Sequence, residues 1–281
     1  MGKKVVQAML ECFSSMKLIS LNAYFGYVFD PLMAFIKEQA ASTDVFCFQE
    51  MLSNPKEDGG EIACRGRVNV LQEIASRLPG FECVFAPMQD DFDFSPAYPG
   101  QTQMGNVIFY KKTFSVTERG SFFIYNDLNT YNGKDYETLG HNAVYLVLGG
   151  SSVLTIVNLH GNSEPASKRD TPKRLEQSKK VLDFLRERLG EKIVMGDFNL
   201  FPETESIKMF EDEGFHNLIK DYKITTTRGS HMRKLFPEYE HGKYGFQEFA
   251  DYTFVSSGVA VRSFTVPDVP ISDHLPMILE I

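Results

Sequence analysis

The sequence has few cysteines, no long apolar run and no excess of basic residues. Its four cysteines include no Cys-x-x-Cys pair, which argues against a zinc knuckle or a dithiol redox site. No apolar run approaches the ~20 residues that a membrane-spanning helix needs. Its 29 Lys and Arg are outnumbered by 37 Asp and Glu, so the net charge is −8. This charge argues against a basic coat for nucleic acid, although a local basic groove or a bound metal ion is compatible with it.

The composition is that of an ordinary globular protein. Hydrophobic residues make up 43% of the chain and charged residues 23%, which is not the composition of a disordered chain. A length of 281 residues suits one large domain or two small ones and is enough to bury a sizeable core. Cys47 lies in an apolar run, so we expect it to be a small core residue. Reduced cysteines are typical of the cytoplasm, and we predict a cytoplasmic protein.

The first fifteen residues differ from the rest of the chain. Two lysines and a short apolar run come first, but Gln7 and Glu11 interrupt the run and no clear cleavage site follows. This pattern argues against a signal peptide. The first strand pattern begins at Met16. We therefore predict an N-terminal extension without fixed structure at residues 1–15 and one domain at residues 16–281.

The periodicity of apolar residues predicts many strands and a few helices. Strands are predicted at residues 16–22, 44–50, 81–87, 105–112, 114–125 (as one strand or two), 142–150, 152–160, 192–197, 250–257, 259–266 and 275–281. Helices are predicted at residues 30–40, 67–80, 171–190 and 203–213. Asp30 and Thr171 are each followed by proline, which is typical of an N-cap before the first helical residue. This mixture favours an α/β protein with mixed sheets.

Polar side chains follow the apolar part of several predicted strands, where a core residue would be expected. They are Asn22, Glu50, His160, Asp197, Asn199, Asp251, Asp273 and His274. If the strands end at one rim of a sandwich, these groups meet at one mouth. Carboxylate and amide oxygens favour Mg²⁺ or Mn²⁺, and such an ion activates water and offsets phosphate charge. No serine or cysteine lies in a nucleophile motif, so the set indicates phosphoryl transfer to water.

Each of these residues also has a structural explanation. Glu50 could face solvent at a strand end, and Asn22 could belong to a turn. His160 could be a buried structural histidine, and Asp197 could belong to a tight turn. Their joint order and repeated position at strand ends favour the functional interpretation.

Six short segments carry a resemblance to a known family. SLN, FQE, NLHGN, GDFN, ADYTFV and SDHLPM resemble the motifs of the endonuclease/exonuclease/phosphatase superfamily, in the family's order from Met16 to Ile281. GDFN and SDH together are highly specific. The resemblance implies a DNase I-like fold, which is a four-layer α/β/β/α sandwich of two mixed sheets with outer helices.

The resemblance also implies a site. The metal ligands for Mg²⁺ or Mn²⁺ would be Glu50, Asn22 and Asp273. The catalytic residues would be His160, Asp197, Asn199, Asp251 and His274. The substrate-binding residues would be Asn162, Arg228 and Asn106.

The implied catalytic roles are distinct. Asp197 orients or deprotonates the attacking water, and Asn199 holds a phosphate oxygen. His274 stabilises charge or donates a proton, and Asp251 fixes its tautomer. His160 contacts the phosphate from the other side.

The substrate is less clear from the sequence. The chain has no tryptophan, and Phe249 stands where abasic endonucleases of the family carry arginine before x-Asp-Tyr, which argues against that branch. The loop at 88–103 mixes acidic and aromatic residues, whereas the loop at 225–249 mixes basic and aromatic residues, as a nucleic-acid strand requires. Its aromatic residues could equally pack on the core. A group of basic residues after His160 could extend a phosphate-facing edge: Lys168, Arg169, Lys173 and Arg174.

Three functions follow from this sequence. We predict a monomeric metal-dependent hydrolase of ester bonds that acts on a phosphate ester, with nucleic acid as substrate. The first alternative is a phosphoesterase for a small or lipid-borne phosphate, which the charge of −8 favours. The second is an inactive binding module on the same fold, which the intact set of site residues argues against.

Overall fold

The computed structural model describes residues 16–54, 66–90, 102–150, 152–231 and 243–281. The predicted extension at residues 1–15 and the central parts of the two loops, residues 91–101 and 232–242, lie outside the described residues. None of the helices in the described ranges is long and apolar enough to cross a membrane.

The described part of the chain contains twelve strands and five α-helices. The strands are β1 Lys17–Asn22, β2 Val45–Ser53, β3 Phe81–Gln89, β4 Gln103–Lys111, β5 Val116–Tyr125, β6 His141–Leu148, β7 Leu154–His160, β8 Glu191–Asp197, β9 His216–Asn217, β10 Asp251–Val255, β11 Ser263–Thr265 and β12 Met277–Glu280. The helices are α1 Phe29–Gln39, α2 Val70–Arg77, α3 Pro172–Arg186, α4 Glu205–Asp212 and α5 Leu218–Asp221. Every predicted strand and helix has its counterpart, and the segment at 114–125 contains one strand, β5.

The strands form two six-stranded mixed sheets. The first has the order β11-β12-β1-β2-β4-β3 and the second the order β5-β6-β7-β8-β10-β9. In the first sheet β1 and β2 are parallel, in the second β7 and β8 are parallel, and the other pairs are antiparallel. The predicted architecture of two mixed sheets is confirmed.

The two sheets pack face to face, with helices on their outer sides. Leu18, Cys47 and Ile108 of the first sheet share a buried cluster with the inner residues of the second, so Cys47 is the core residue that its apolar run predicts. On the outer side of the first sheet, Phe46 packs in a second cluster with Ile36 of α1. Helices α3 and α4 contribute their apolar faces to the second sheet. These four layers are the α/β/β/α sandwich.

Side chains along β1 and β2 alternate between the two faces of the sheet, and those on the inner face are polar near one end of the sandwich. On β2 the inward positions run from Cys47 to Gln49, which is completely buried. Gln49 Nε2 donates to Ser20 Oγ at 3.2 Å and to Asn158 Oδ1 of the opposite sheet at 2.5 Å. Asn158 Nδ2 in turn donates to the main-chain oxygen of Phe48 at 3.0 Å. Because the amide nitrogens of Gln49 and Asn158 both have partners across the two sheets, the sandwich can remain closed beneath a polar mouth.

The predicted helix ends are partly right. Thr171 caps α3 by accepting a hydrogen bond from the Arg174 amide, and Pro172 is the first helical residue. The predicted cap of α1 is wrong, because this helix begins at Phe29 and its N-cap is Val28. A proline two positions inside the helix is tolerated there, since the first four amides of a helix have no internal partner.

Candidate active site

The second sheet brings three predicted residues to neighbouring strand ends. His160 of β7 and Asp251 of β10 flank Asp197, the last residue of β8, in the sheet register. Gly196 makes this approach possible, because its φ is +141° and a Cβ atom there would lie 2.1 Å from the Leu159 oxygen. The glycine of the GDFN segment is therefore needed for close packing of β8 against β7.

The first sheet contributes Asn22 and Glu50 from the ends of β1 and β2. The pairing of β2 with β4 shifts register between Phe48 and Met51, and Glu50 has a left-handed φ of +54°. A bulge of this kind turns a side chain out of the regular alternation. The left-handed backbone at Glu50 turns its carboxylate towards the mouth. Residues with such strained backbones are often functional.

Asp197 lies at the centre of the site. Its Oδ1 accepts a hydrogen bond from the Asn199 amide at 2.8 Å, and its Oδ2 accepts one from Asn22 Nδ2 at 3.1 Å. The same Asn22 nitrogen lies 2.9 Å from Glu50 Oε1. Burial raises the pKa of Asp197, but the charges of His274, His160 and Lys168 outweigh burial and hold the pKa at about 2. The carboxylate is therefore ionised at neutral pH.

Two histidines approach Asp197 from the ends of different segments. His160 Nε2 lies 3.8 Å from both Asp197 Oδ2 and Glu50 Oε1. His274 Nε2 lies 3.6 Å from Asp197 Oδ2. Both imidazoles thus present Nε2 to the space beside one carboxylate, which is where a phosphate would need donors.

His274 is held by Asp251. Its Nδ1 lies 2.8 Å from Asp251 Oδ2. Burial and the neighbouring Arg228 lower the pKa of His274, but the carboxylates of Asp251, Asp273 and Asp197 outweigh them, so the pKa is raised above its ordinary value. His274 can therefore keep Nδ1–H on Asp251, while its Nε2 faces Asp197 and the guanidinium of Arg228.

The donor set fits a divalent metal ion. Ligand atoms of Glu50, His160 and Asp197 all lie within 4.8 Å of one another, as do those of Asp197, Asp251 and His274. Burial, followed by the charge of Asp273, raises the pKa of Glu50 to about 7. A cation at Glu50 would relieve this unfavourable concentration of negative charge. The structure thus supplies His160 and Asp197 as further candidate ligands beside the predicted Glu50.

Asn22 and Asp273, the other predicted metal ligands, have protein partners. The Oδ1 of Asn22 accepts the Tyr24 amide at 3.0 Å, while its Nδ2 faces the two carboxylates. Asp273 Oδ2 accepts a hydrogen bond from Arg228 Nη2 at 2.7 Å. Both residues lie in the site, and their ligand role stays a prediction.

Arg228 lies among the candidate catalytic residues. It pairs with His274 through an isolated main-chain bridge, and its guanidinium contacts both His274 Nε2 and Asp273. The structure therefore brings this predicted substrate-binding residue to the mouth, next to the histidine expected to face the phosphate.

Asn106 and Asn162 are buried in internal networks. Asn106 Nδ2 donates to Asn142 Oδ1 at 2.9 Å. The Asn162 side chain donates to the Glu164 oxygen at 2.8 Å and accepts from the Glu164 amide at 3.1 Å. These contacts engage the amides with the protein itself, and substrate binding by either residue stays a prediction.

The four basic residues after His160 diverge in the structure. Lys168 turns inward beside the site and is 6% exposed. Arg169 and Lys173 form ion pairs with Glu203 and Glu137 on the surface. Arg174 is completely buried and binds main-chain oxygens. The expected basic edge is therefore reduced to one lysine.

His141, on β6, is a neighbour of the site that the sequence patterns did not indicate. It is buried, and its ring meets the ring of His160 edge to face at 5.2 Å. Burial and the charge of His160 lower the pKa of His141 well below its ordinary value, so it is neutral. A histidine at the start of a strand has no motif that distinguishes it from a structural residue.

The substitution Asp251→Asn tests the His274 pair. Removal of the negative charge is expected to lower the pKa of His274 and to lower kcat by about 100-fold or more, because the imidazole loses the partner that fixes its charge and tautomer. NMR titration of the imidazole and kcat against pH measure the two effects. Asp221→Asn, which alters the exposed partner of His216, is the matched control. An unchanged His274 titration would contradict the assigned role of Asp251.

The sequence matches one known protein family. A family model described as the Endonuclease/Exonuclease/phosphatase family matches residues 19–274. A search of curated protein sequences found no match.

Several solved structures share the fold. A mannosyl-6-phosphatase of Bacteroides thetaiotaomicron has 17% sequence identity and a TM-score of 0.66, with 95% of this chain and 100% of that chain covered. The human nocturnin catalytic domain with bound sulfate has 17% identity and a TM-score of 0.65, with 95% and 92% covered. A humanized D. rerio TDP2 has 13% identity and a TM-score of 0.62, with 95% and 98% covered. At these identities the similarity establishes the fold.

Proposed function

This chain belongs to the endonuclease/exonuclease/phosphatase family, whose members are hydrolases that act on phosphate esters, and we propose that it is a divalent-metal-dependent phosphodiesterase that cleaves nucleic acid with an activated water. The observation that carries the proposal is the convergence on Asp197. One carboxylate lies within 3.8 Å of two histidines and is hydrogen-bonded to Asn22. In-line attack on a phosphoester requires a positioned water and donors aimed at the developing charge, and this arrangement can supply both.

Glu50 is the residue best placed to hold the metal ion, together with the neighbouring candidate ligands. When bound, Mg²⁺ or Mn²⁺ would offset charge on the phosphate oxygens and lower the pKa of bound water. Burial and the charge of Asp273 raise the pKa of Glu50, and a bound cation would offset both effects, which supports its assignment.

The protein groups divide the remaining work. Asp197 is ionised, so it can orient a water and accept its proton. His274, held by Asp251, would stabilise the developing charge or protonate the leaving oxygen. His160 would contact the phosphate from the opposite side. Asn199 has a left-handed φ of +53° and would position a phosphate oxygen at the end of β8.

A second candidate function is hydrolysis of a small or lipid-borne phosphate ester. A cavity of about 200 Å³ lies beside Asn199 and Arg228, and the acidic residue Glu164 is part of its lining. This acid and the net charge of −8 disfavour a long polyanion. These two observations support the smaller substrate.

The test measures the hydrolysis of several substrates and, separately, the binding of the metal ion through its effect on stability. The substrates are bis(p-nitrophenyl) phosphate, single- and double-stranded DNA and RNA, sugar phosphates and sphingomyelin, each with Mg²⁺, Mn²⁺ or EDTA. We expect metal-dependent cleavage of nucleic acid and a fall of at least about 100-fold in Glu50→Gln. Saturating Mg²⁺, at about 100 times its Kd, is expected to stabilise the wild type by ~2.7 kcal/mol and to stabilise Glu50→Gln much less. Glu187→Gln, an exposed change at the end of α3, is the control.

The outcomes separate the candidates. Cleavage of sugar phosphates or sphingomyelin without cleavage of nucleic acid would select the second function. A metal-dependent rise in Tm without turnover of any substrate would indicate a binding module. Equal stabilisation of the wild type and Glu50→Gln by Mg²⁺ would place the metal away from Glu50.

A further inference from the structure

A cavity of about 200 Å³ adjoins the catalytic groups on one side. Its lining includes two cationic residues, Lys168 and Arg228, one acidic residue, Glu164, and the uncharged residues Asn199, Phe246 and Gln247. Two of these residues connect it to the catalytic groups, because Arg228 contacts His274 and Asp273 and the Asn199 amide binds Asp197. Any group in this cavity would therefore lie next to a phosphate bound at His274.

Lys168 is the unusual member of the cavity wall. It is 6% exposed, and its Nζ donates to the Phe249 oxygen at 3.3 Å. No carboxylate of the described residues forms an ion pair with this ammonium group. Buried lysines are almost always paired with an acid. The Lys168 ammonium group instead donates one of its three N–H groups to a main-chain carbonyl oxygen.

The backbone holds Lys168 in this position. Its φ is +53°, which is uncommon for a residue with a side chain. The Lys168 amide donates to the Pro165 oxygen at 3.3 Å, and its own oxygen accepts the Phe201 amide at 3.0 Å. Two main-chain hydrogen bonds hold this strained conformation, which directs the ammonium group inward. Such a conformation indicates a functional residue, because a solvated surface lysine would not need it.

Lys168 keeps its positive charge in this cavity. Burial and the nearby Arg228 lower the pKa of Lys168 to about 8, against the opposing influence of Asp197, Asp251 and Asp273. The ammonium group therefore remains mostly charged at neutral pH. The guanidinium of Arg228 contacts Asp273 and His274. Asp197, Asp251 and Asp273 act on Lys168 through space, but none of them forms an ion pair with its ammonium group. An anion in the cavity would supply the missing partner.

We propose that this cavity binds a second phosphate of the substrate, beside the phosphate that is hydrolysed, with Lys168 as its principal partner. The inference rests on the proposed function, since it assumes that a phosphate ester occupies the site at His274. Phosphate is the group whose several acceptor oxygens match an ammonium and a neighbouring amide and guanidinium. The second phosphate could be the neighbouring one of a nucleic-acid strand or that of a small bisphosphate.

Pairs of substrates that differ by one phosphate test the proposal. One pair is the dinucleotide TpT with and without a terminal phosphate, placed at the 5′ end or the 3′ end, with cleavage of the internal diester measured. The other is glucose 1,6-bisphosphate against glucose 1-phosphate. We expect the wild type to prefer the substrate with the second phosphate by about tenfold to a hundredfold in kcat/KM. The pair that shows the preference identifies the source of the phosphate.

The variants assign the preference to Lys168. Lys168→Met keeps the length of the side chain and is expected to abolish the preference, whereas Lys168→Arg keeps the charge and part of the preference. Lys179→Met, which removes an exposed lysine of α3, is the matched control and should keep it entirely. Far-UV circular dichroism and Tm show whether Lys168→Met is folded.

Three results would overturn the proposal. The first is the absence of a preference in the wild type, and the second is a preference that persists in Lys168→Met. The third is an equal loss of kcat/KM in Lys168→Met for both substrates of a pair, which would place Lys168 at the scissile phosphate. A second measurement distinguishes failure of this proposal from failure of the proposed function. Binding of the same substrate pairs to Asp197→Asn is measured by calorimetry with Mg²⁺ present, and it does not depend on turnover. A Lys168-dependent difference in Kd there would establish the second-phosphate site even without turnover.

Discussion

Asp197→Asn is expected to lower kcat/KM for phosphoester hydrolysis by about 1,000-fold or more while leaving the fold intact. General-base catalysis alone contributes about 100-fold to 10,000-fold, and the same carboxylate fixes several neighbours. It accepts hydrogen bonds from Asn22 and Asn199 and lies between two imidazoles. Asparagine keeps the shape and one acceptor oxygen, but it has no charge and cannot accept a proton from water.

The measurement is steady-state kinetics with Mg²⁺, accompanied by Tm. Asp212→Asn, an exposed change at the end of α4, should leave kcat/KM unchanged. Since Asn retains one of the two hydrogen bonds, we expect a loss of stability of about 1–2 kcal/mol, which is a small decrease in Tm for a chain of this size. A loss of activity below tenfold would mean that another group positions the water.

Arg174→Met is expected to destabilise the protein by about 3 kcal/mol, the largest effect on stability that the structure indicates. The Arg174 guanidinium is completely buried and donates to the oxygens of Arg169 at 2.7 Å, Pro165 at 2.9 Å and Asn162 at 3.1 Å. Methionine fills a similar volume but leaves three main-chain oxygens without donors. Arg174 Nε has no hydrogen-bond partner among the described residues, so the substitution also removes one unsatisfied donor, but this gain is smaller than the loss of three hydrogen bonds to buried oxygens.

Chemical denaturation and Tm measure this loss, which corresponds to a decrease in Tm of about 6–12 °C. The control is Arg186→Met on the same helix, where exposed ion pairs with Asp183 and Glu213 contribute at most about 1 kcal/mol. Activity well below Tm should also fall, since Arg174 holds the loop that carries Lys168. Equal stability of the two variants would show that other contacts hold this loop.

Much of the site could be predicted because strand ends in a sandwich meet in space. Glu50 and Asp197 follow apolar runs, whereas His274 lies just before the last strand, and no core could accept these side chains without partners. The pattern alone thus placed a polar cluster at one end of two sheets. Motif resemblance then assigned roles that spacing could not distinguish, such as the separate tasks of His160 and His274.

Other parts of the structure could not be predicted, because the relevant signal is not local. The basic residues after His160 look alike in sequence, yet Lys168 turns inward, Arg174 is buried and Arg169 remains on the surface. The short strand β9 and helix α5 were missed as well. Elements of two and four residues are too short to show periodicity.

The sequence by itself determined the strands, the mixed α/β class and the polar residues at the strand ends, because alternation and strand length are properties of adjacent residues. The two-sheet sandwich was implied by the resemblance of its motifs to a known family. Only the tertiary structure decided which basic side chains face the site, which amides are engaged in internal networks and where a cavity remains beside the catalytic groups. These features depend on a left-handed turn at Lys168, a bulge at Glu50 and the approach of Arg228 to His274. Each arises from contacts between segments far apart in the chain, where burial and charge select among side chains of the same type.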